Sequence, residues 1–409
     1  MPHATSLISP ACGPTKVAKP IVLCLLGCYW PKHDATGPNQ SFRACAATLS
    51  DEFEFLVLGR DGPVGINAPG VSRGRWVDDG IAKARHCRIS RLGAEGLRDI
   101  LRSTPHDLLI LNGFFDREFT IPALVMRRMG LIPRLPTILA PRGEFSAGAL
   151  GLKQTRKRAY LLAARGLGLL DDVRLHATSE QEADEIREGC PWARDVLVAP
   201  NIRVLRQLPQ SVAPPDDGRL RVVFLSRVDR KKNLDYAIKL LAHVSAPVMF
   251  DIFGPTNDLA YWAECEQLIL RLPAHVEVHY RGSIPNADVA ATLARYDLFL
   301  LPTRGENFGH AIFDALEVGL PVLISDQTPW RELERAGAGW SLPLADPNLF
   351  AATIDRLATL GPSERIALRQ AARSLAESNL QESESVARTR SALNGALRHS
   401  FEIAQDTHG

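Results

Sequence analysis

The chain is predicted to be an α/β protein of two doubly wound domains facing each other across a cleft, with a helical segment at its C-terminal end. Three observations lead there. At 409 residues the chain exceeds what one hydrophobic core supports, so it divides. Apolar runs of strand length alternate with segments of helical period, most regularly beyond Arg221, and that alternation specifies parallel sheets covered by helices on both faces. Residues 207–218 are rich in Pro and polar side chains and lack either period, which marks a linker between the two alternating regions.

In chain order, residues 1–18 form a loose tail, since nothing anchors them. The first domain covers 19–206, with strand candidates at 21–26, 55–58, 108–111, 137–140 and 175–178. The run at 21–27 follows two lysines but is too short to span a membrane, and no cleavage pattern follows it. After the linker at 207–219, the second domain covers 220–380 with strand candidates at 222–226, 248–254, 276–282, 297–303 and 321–325. Leu234, Ile238 and Leu241 recur at helical spacing behind Asn233 as cap, and Asn286 precedes Val289, Leu293 and Tyr296 on one helix face. Ser179 with Glu182 reads as a capping box, which makes Ser179 a cap rather than a nucleophile, and His176 a structural residue. Residues 381–409 have helical composition.

Composition narrows the chemistry. The seven cysteines are scattered without a paired CxxC or a histidine at metal spacing, which argues against a disulfide framework or zinc site and fits a reducing compartment. Cys24 and Cys28 share one strand face and read as small buried hydrophobes. No G-x-G-x-x-G or G-x-x-x-x-G-K-[ST] occurs, which disfavours a nicotinamide dehydrogenase or a P-loop kinase. Residues 1–205 carry 27 Lys and Arg against 21 Asp and Glu, whereas the remainder is acidic, 21 against 25. The basic half points to an anionic acceptor or membrane surface.

Two segments concentrate functional candidates. In 303–321, Glu306 precedes a turn at Gly309, a helix follows, and Asp314 lies roughly 7 to 8 Å along its axis. Two carboxylates flanking a helix start suit a nucleotide-sugar, the amides taking phosphate and the acids taking hydroxyls. The same spacing also describes an ordinary helix with acids near its positive end. Gly319 and Pro321 close that helix. In 225–234, Arg227 and Lys232 follow the second domain's first strand, where ligand-facing loops lie. They are either a diphosphate clamp or a solvated basic turn.

Taken together, Arg227 and Lys232, the strand end at Gly254, the segment 280–284 and the stretch from Glu306 to Pro321 occur in the order found in GT-B glycosyltransferases of family 4. The chain resembles them over nearly its whole length. The resemblance implies two Rossmann-like domains, a C-terminal segment crossing back to the first, and a retaining transfer with no metal and no cofactor besides the nucleotide-sugar co-substrate. It makes Glu306, Arg227 and Lys232 the catalytic set: the family's Glu-x7-Glu signature places its first acid on sugar hydroxyls, and Arg227 and Lys232 on donor phosphates. Donor-binding roles fall to Gly37, Gly254, Arg281, Gly282, Ile284, Asn307, Phe308, Gly309 and Asp314. Asp314 stands where the family has a ribose-binding Glu, and Thr36 stands where the family's phosphate loop has its first Gly.

On the acceptor side, Asn112 replaces a family His and cannot shuttle a proton near neutral pH. Arg142 and Glu144 belong to a segment resembling enzymes that build bacterial polysaccharides on lipid carriers. The basic, partly apolar stretch after it, with Lys153, Arg156, Lys157, Arg158 and Arg165, fits an anionic leaflet. The expected partners are a nucleotide-sugar donor, a saccharide or lipid-linked saccharide acceptor and the inner membrane surface, with no nucleic acid; the expected location is cytoplasmic and peripheral. The expected process is cell-surface polysaccharide synthesis. Another GT-B enzyme, an epimerase or phosphorylase, and a non-catalytic nucleotide-sugar-binding protein are the competing readings.

Overall fold

The structure, a computed structural model, describes residues 18–29, 37–62, 74–150, 154–193, 195–203, 218–382 and 384–406. Residues 1–17 of the expected tail, nearly all of the linker at 207–219, and Thr36, Leu152 and Lys153 lie outside the described residues.

Buried apolar runs make the strands of two sheets. In the N-terminal sheet these are β1 (Ile21–Leu25), β2 (Glu54–Arg60), β3 (Val77–Asp78), β4 (Lys83–Cys87), β5 (Leu108–Asn112), β6 (Thr137–Ala140), β7 (Val173–Ala177) and β8 (Val196–Val198), in the order β3-β4-β2-β1-β5-β6-β7-β8. The C-terminal sheet has β9 (Leu220–Leu225), β10 (Val248–Phe253), β11 (Val276–Gly282), β12 (Leu298–Leu301), β13 (Val322–Ser325) and β14 (Gly339–Leu342), in the order β11-β10-β9-β12-β13-β14. Neighbours run parallel except β3 against β4.

Side-chain alternation along β1 shows why both faces need helices. Leu23 and Leu25 enter one apolar cluster with Phe114, Phe119 and Leu175, while Val22, Cys24 and Leu26 enter a second with Phe42, Phe55 and Leu108. The C-terminal sheet shares one core built on Phe224, Phe250, Phe299, Phe313 and Phe350. Burying such a phenylalanine contributes about 1.5–3 kcal/mol.

Helix Pro362–Glu382 packs on the C-terminal domain, its Arg369 donating to the carbonyls of Tyr296 and Ala294 at 2.8 and 3.1 Å. Helix Ser385–Asp406 then returns to the N-terminal domain. Its Leu393 and Ala396 are buried in the second N-terminal cluster, and Arg390 binds Glu52 at 2.8 Å.

Three local expectations change. Asn233 does not cap helix Leu234–Leu241; its amide donates to Pro302 O at 2.9 Å and its carbonyl oxygen accepts from Arg304 at 3.0 Å, which ties the two candidate loops together. Asn286 opens its helix rather than preceding it, behind Pro285. Ser179 caps helix Glu180–Gly189 by accepting from Glu182 N at 3.1 Å, but the Glu182 carboxylate turns inward instead of completing the box.

Candidate functional site

Ligands of doubly wound sheets sit beyond the carboxyl ends of the strands where strand order reverses, here between β9 and β12. The loop after β9 carries Arg227 and Lys232, and the loop after β12 carries Glu306, Asn307 and Phe308. Lys232 Nζ pairs with Glu306 Oε1 inside the crevice, the side chains being 14% and 11% exposed. Arg227 stays 57% exposed beside Asp229 at 3.3 Å, with its guanidinium fork still open to solvent. Lys231 folds inward: burial, and after it the charge of Lys232, hold its ammonium below the usual lysine range. A mostly buried carboxylate therefore lies among basic side chains at the mouth of the sheet.

The backbone beneath that cluster is tight. Gly254 has φ +142°, and a Cβ there would stand 1.8 Å from the carbonyl oxygen of Ser226, so only glycine lets the ends of β9 and β10 meet behind Arg227. Gly254 N donates to Gly282 O at 2.9 Å. Arg281 is half-exposed and anchored to Asp251 at 3.2 Å, while Ile284 packs against the domain core.

Helix His310–Glu317 begins behind Gly309, which takes a left-handed conformation, and no side chain caps its amino end. Its first amides thus have no side-chain acceptor, the condition in which helix starts bind anions. The carbonyl oxygen of Phe308, expected to bind donor through its backbone, accepts from Trp330 Nε1 at 2.6 Å, and its ring packs near Phe313 and Trp330. Asp314 is buried more deeply. The expected ribose acid is 3% exposed and paired with Arg203 of the N-terminal domain. A carboxylate one methylene shorter than Glu stays within the helix packing, where a guanidinium reaches it.

The acceptor-side candidates are also committed internally. Asn112, 7% exposed, donates to Leu25 O and Cys24 Sγ at 3.2 Å and accepts from Arg142 Nε at 3.0 Å. Arg142 also donates to Asn201 Oδ1 at 3.1 Å. Glu144 accepts from Phe115 N at 3.0 Å, and burial raises its pKa. These three side chains are hydrogen-bonded within the N-terminal domain and hold the loop after β6 in shape. Across the cleft that loop presents the Gly143 backbone and the Ser146 hydroxyl. Gly143 has φ +74°, and a Cβ on it would lie 2.9 Å from Asn307 Cβ; a Cβ on Gly305 would lie 3.7 Å from Ser146 Oγ. Gly37 opens helix Gly37–Thr48 and packs against the His310 imidazole, which a Cβ would meet at 2.7 Å.

Residues that sequence reasoning passed over complete the site. Glu182 fixes the Gly143 loop by accepting from Gly143 N at 2.7 Å and from Thr178 N at 2.7 Å. Its capping-box position was the available signal, read for the wrong partner. Lys231 adjoins Lys232 and His310 lies inside the acidic motif, so both were in view. Arg203 belongs to no local pattern. Among the described residues no group of three or more His, Cys, Asp and Glu is placed to hold a metal ion, and six cysteines are free.

Residues 209–375 match the family of glycosyl transferases group 1. An uncharacterized 41.2 kDa protein in the cps region of Klebsiella pneumoniae is 26% identical over 141 residues, 34% of this chain and 36% of that one. The phosphatidyl-myo-inositol mannosyltransferase of Mycobacterium leprae is 29% identical over 165 residues, 39% and 42% of the two chains. The aligned part is thus less than half the length of either relative. The crystal structure of Anabaena HepE in complex with UDP and glucose superposes with a TM-score of 0.67 over 92% of this chain and 99% of that one, at 16% identity. The fold is that of the GT-B glycosyltransferases.

Proposed function

We propose that the chain, whose residues 209–375 are a group 1 glycosyl transferase domain, moves a sugar from a nucleoside diphosphate to a saccharide hydroxyl with retention at the anomeric carbon. The carrying observation is the mostly buried Lys232–Glu306 pair between β9 and β12, with the open Arg227 fork beside it. During transfer the bond from the anomeric carbon to the diphosphate oxygen breaks and charge builds on the departing phosphate. Arg227, Lys232 and the amides that start helix His310–Glu317 stabilise that charge, while Glu306 accepts hydroxyls of the sugar. The acceptor oxygen bonds to the anomeric carbon and its proton passes to the departing phosphate. Asn112, held by its own hydrogen bonds, takes no part in that proton's movement.

Two features support a role in assembling a cell-surface polysaccharide at a membrane. One is the relative encoded in a cps region. The other is helix Gln154–Gly166, which exposes Arg156, Arg158 and Arg165 beside Leu162, 71% exposed, with Leu167 just beyond its end. Tyr160 and Leu161 turn to the core and Lys157 is drawn inward toward Ala149 O at 2.7 Å, so the outward face is mixed basic and apolar, the composition that binds anionic leaflets. Among the described residues no helix is long and apolar enough to cross a membrane.

The test measures nucleoside diphosphate release from a panel of UDP- and GDP-hexoses with a lipid-linked saccharide extract, for the native chain and Glu306→Gln. Release that requires acceptor and collapses in the variant supports the reading; unchanged release in the variant overturns the site. Cosedimentation with vesicles containing phosphatidylglycerol tests the surface helix, with loss of binding expected on replacing Arg156, Arg158 and Arg165 by Glu.

A further inference from the structure

The acid of the donor helix is already occupied, and what occupies it comes from the other domain. Arg203 lies at the end of the N-terminal half, just ahead of the expected linker. Its side chain is 6% exposed and pairs with Asp314, whose own is 4% exposed. The guanidinium lies over the Phe313 ring at 4.7 Å, donates to His310 Nδ1 at 3.1 Å, and donates to Gln40 Oε1. The seam continues on both sides. Gln40 donates to Asn286 Oδ1 at 3.2 Å, and His310 Nε2 meets Ser41 Oγ at 3.3 Å. Gly37 lies against the same imidazole with no room for a side chain. Arg203 therefore joins helix Gly37–Thr48 of the first domain to helix His310–Glu317 of the second, and Gln40 extends the seam to helix Asn286–Leu293.

We propose that Arg203 is a positioning residue and Asp314 its latch: the pair pins the donor helix to the N-terminal domain, and Asp314 does not read the ribose of the nucleotide. Two arguments carry this, and both rest on the function proposed above. A ribose hydroxyl is a neutral donor. Displacing a guanidinium from a buried carboxylate for its sake leaves an uncompensated charge in the interior, which costs more than the new hydrogen bond returns. Planar stacking on Phe313 together with the fork to Asp314, Gln40 and His310 also uses the guanidinium in the geometry for which Arg is suited and Lys is not. The helix start at Gly309, which faces the donor phosphates, is then held in register by the same contact that joins the domains. Donor affinity depends on the latch through position rather than through touch.

The test compares Arg203→Gln, Asp314→Asn, their double variant and the milder Gln40→Ala, using the full chain. Three readouts are UDP and 2′-deoxy-UDP affinity by calorimetry, the radius of gyration by small-angle scattering, and the thermal midpoint. Each single variant is expected to weaken UDP binding about tenfold, in the range of coupled contacting pairs, and to widen the particle. The double variant should be no weaker than the worse single, and the ratio of UDP to 2′-deoxy-UDP affinity should stay at the native value throughout. Loss of the UDP preference in Asp314→Asn, strictly additive losses, or an unchanged radius of gyration overturns the latch. Should the native chain bind no nucleotide, the proposed function fails while scattering and the midpoint cycle still decide the latch. Should the charged-pair variants not fold, Gln40→Ala decides it by the same scattering and affinity measurements.

Discussion

The two walls of the cleft use their polar residues in opposite ways. On the C-terminal wall, Arg227 projects with more than half of its side chain exposed, and the Lys232–Glu306 pair lies at the crevice mouth. On the N-terminal wall, Asn112, Arg142 and Glu144 spend their hydrogen bonds on one another, on Asn201 and on backbone amides, leaving Gly143 as the surface that meets Asn307. One wall keeps charge available for a ligand; the other uses charge to hold the shape of a loop. The difference teaches that a charged side chain at the end of a parallel strand stays open to a ligand where, as at Arg227, its neighbours leave the group exposed.

The largest expected effect separates the walls directly. Lys232→Ala should lower turnover by about 10²–10³, as removal of a preorganised charge stabiliser does, measured by nucleotide release at saturating donor. Asn112→Ala under the same conditions should change turnover far less; an equal loss in both would erase the contrast.

Titration provides the next test. Burial, and after it the charge of Arg142, push the His176 imidazole on the N-terminal wall down to about 4, while its Nε2–H donates to Ala199 O at 2.8 Å. The unfolded chain takes up that proton near the ordinary value of about 6.5, so this contribution to stability is complete above pH 6.5 and is lost as pH falls toward 4. The loss is on the order of 2–3 kcal/mol. A chemical denaturation series between pH 7 and 4 should show it, and His176→Gln should flatten that dependence.

Gly143→Ala should then cost about 1–2 kcal/mol for a Cβ in a left-handed conformation, with a turnover loss of roughly tenfold because the added methyl meets Asn307. A stability loss without a turnover loss would show that the walls need not touch during catalysis. The smallest effect belongs to Asn112→Ala, about 1–2 kcal/mol in the free energy of unfolding from stranding Arg142 and Leu25 O, with donor affinity retained.

Legibility in the sequence followed burial. The strand candidates coincide with β1, β2, β5 to β7 and β9 to β13; most of these are apolar because both faces are covered, while β11 lies at the sheet edge and carries Glu277, His279 and Arg281. The strand β4, Lys83–Cys87, was missed: its neighbours are β2 and the two-residue β3 near the sheet edge, and its alternating Lys, Arg and His break the apolar run. The edge strands β8 and β14 escaped because three and four residues are too short to show a strand period. Arg227, Lys232, Glu306 and Gly309 were legible because each lies in a short loop or at a helix start directly after a strand, where local order dictates placement.

Order along the chain therefore settles which residues stand at strand ends, since a strand followed by a turn carries its next few side chains to the crevice wherever the sheet lies. It does not settle which of those side chains remain available. Asp314 and Arg203 are 111 residues apart, and Gly143 meets Asn307 from the other domain. Their pairing follows from packing, because burial and charge compensation depend on distances in space that no local spacing encodes. Asp314 accordingly belongs to the chain's donor motif by position and to the joint between its domains by contact.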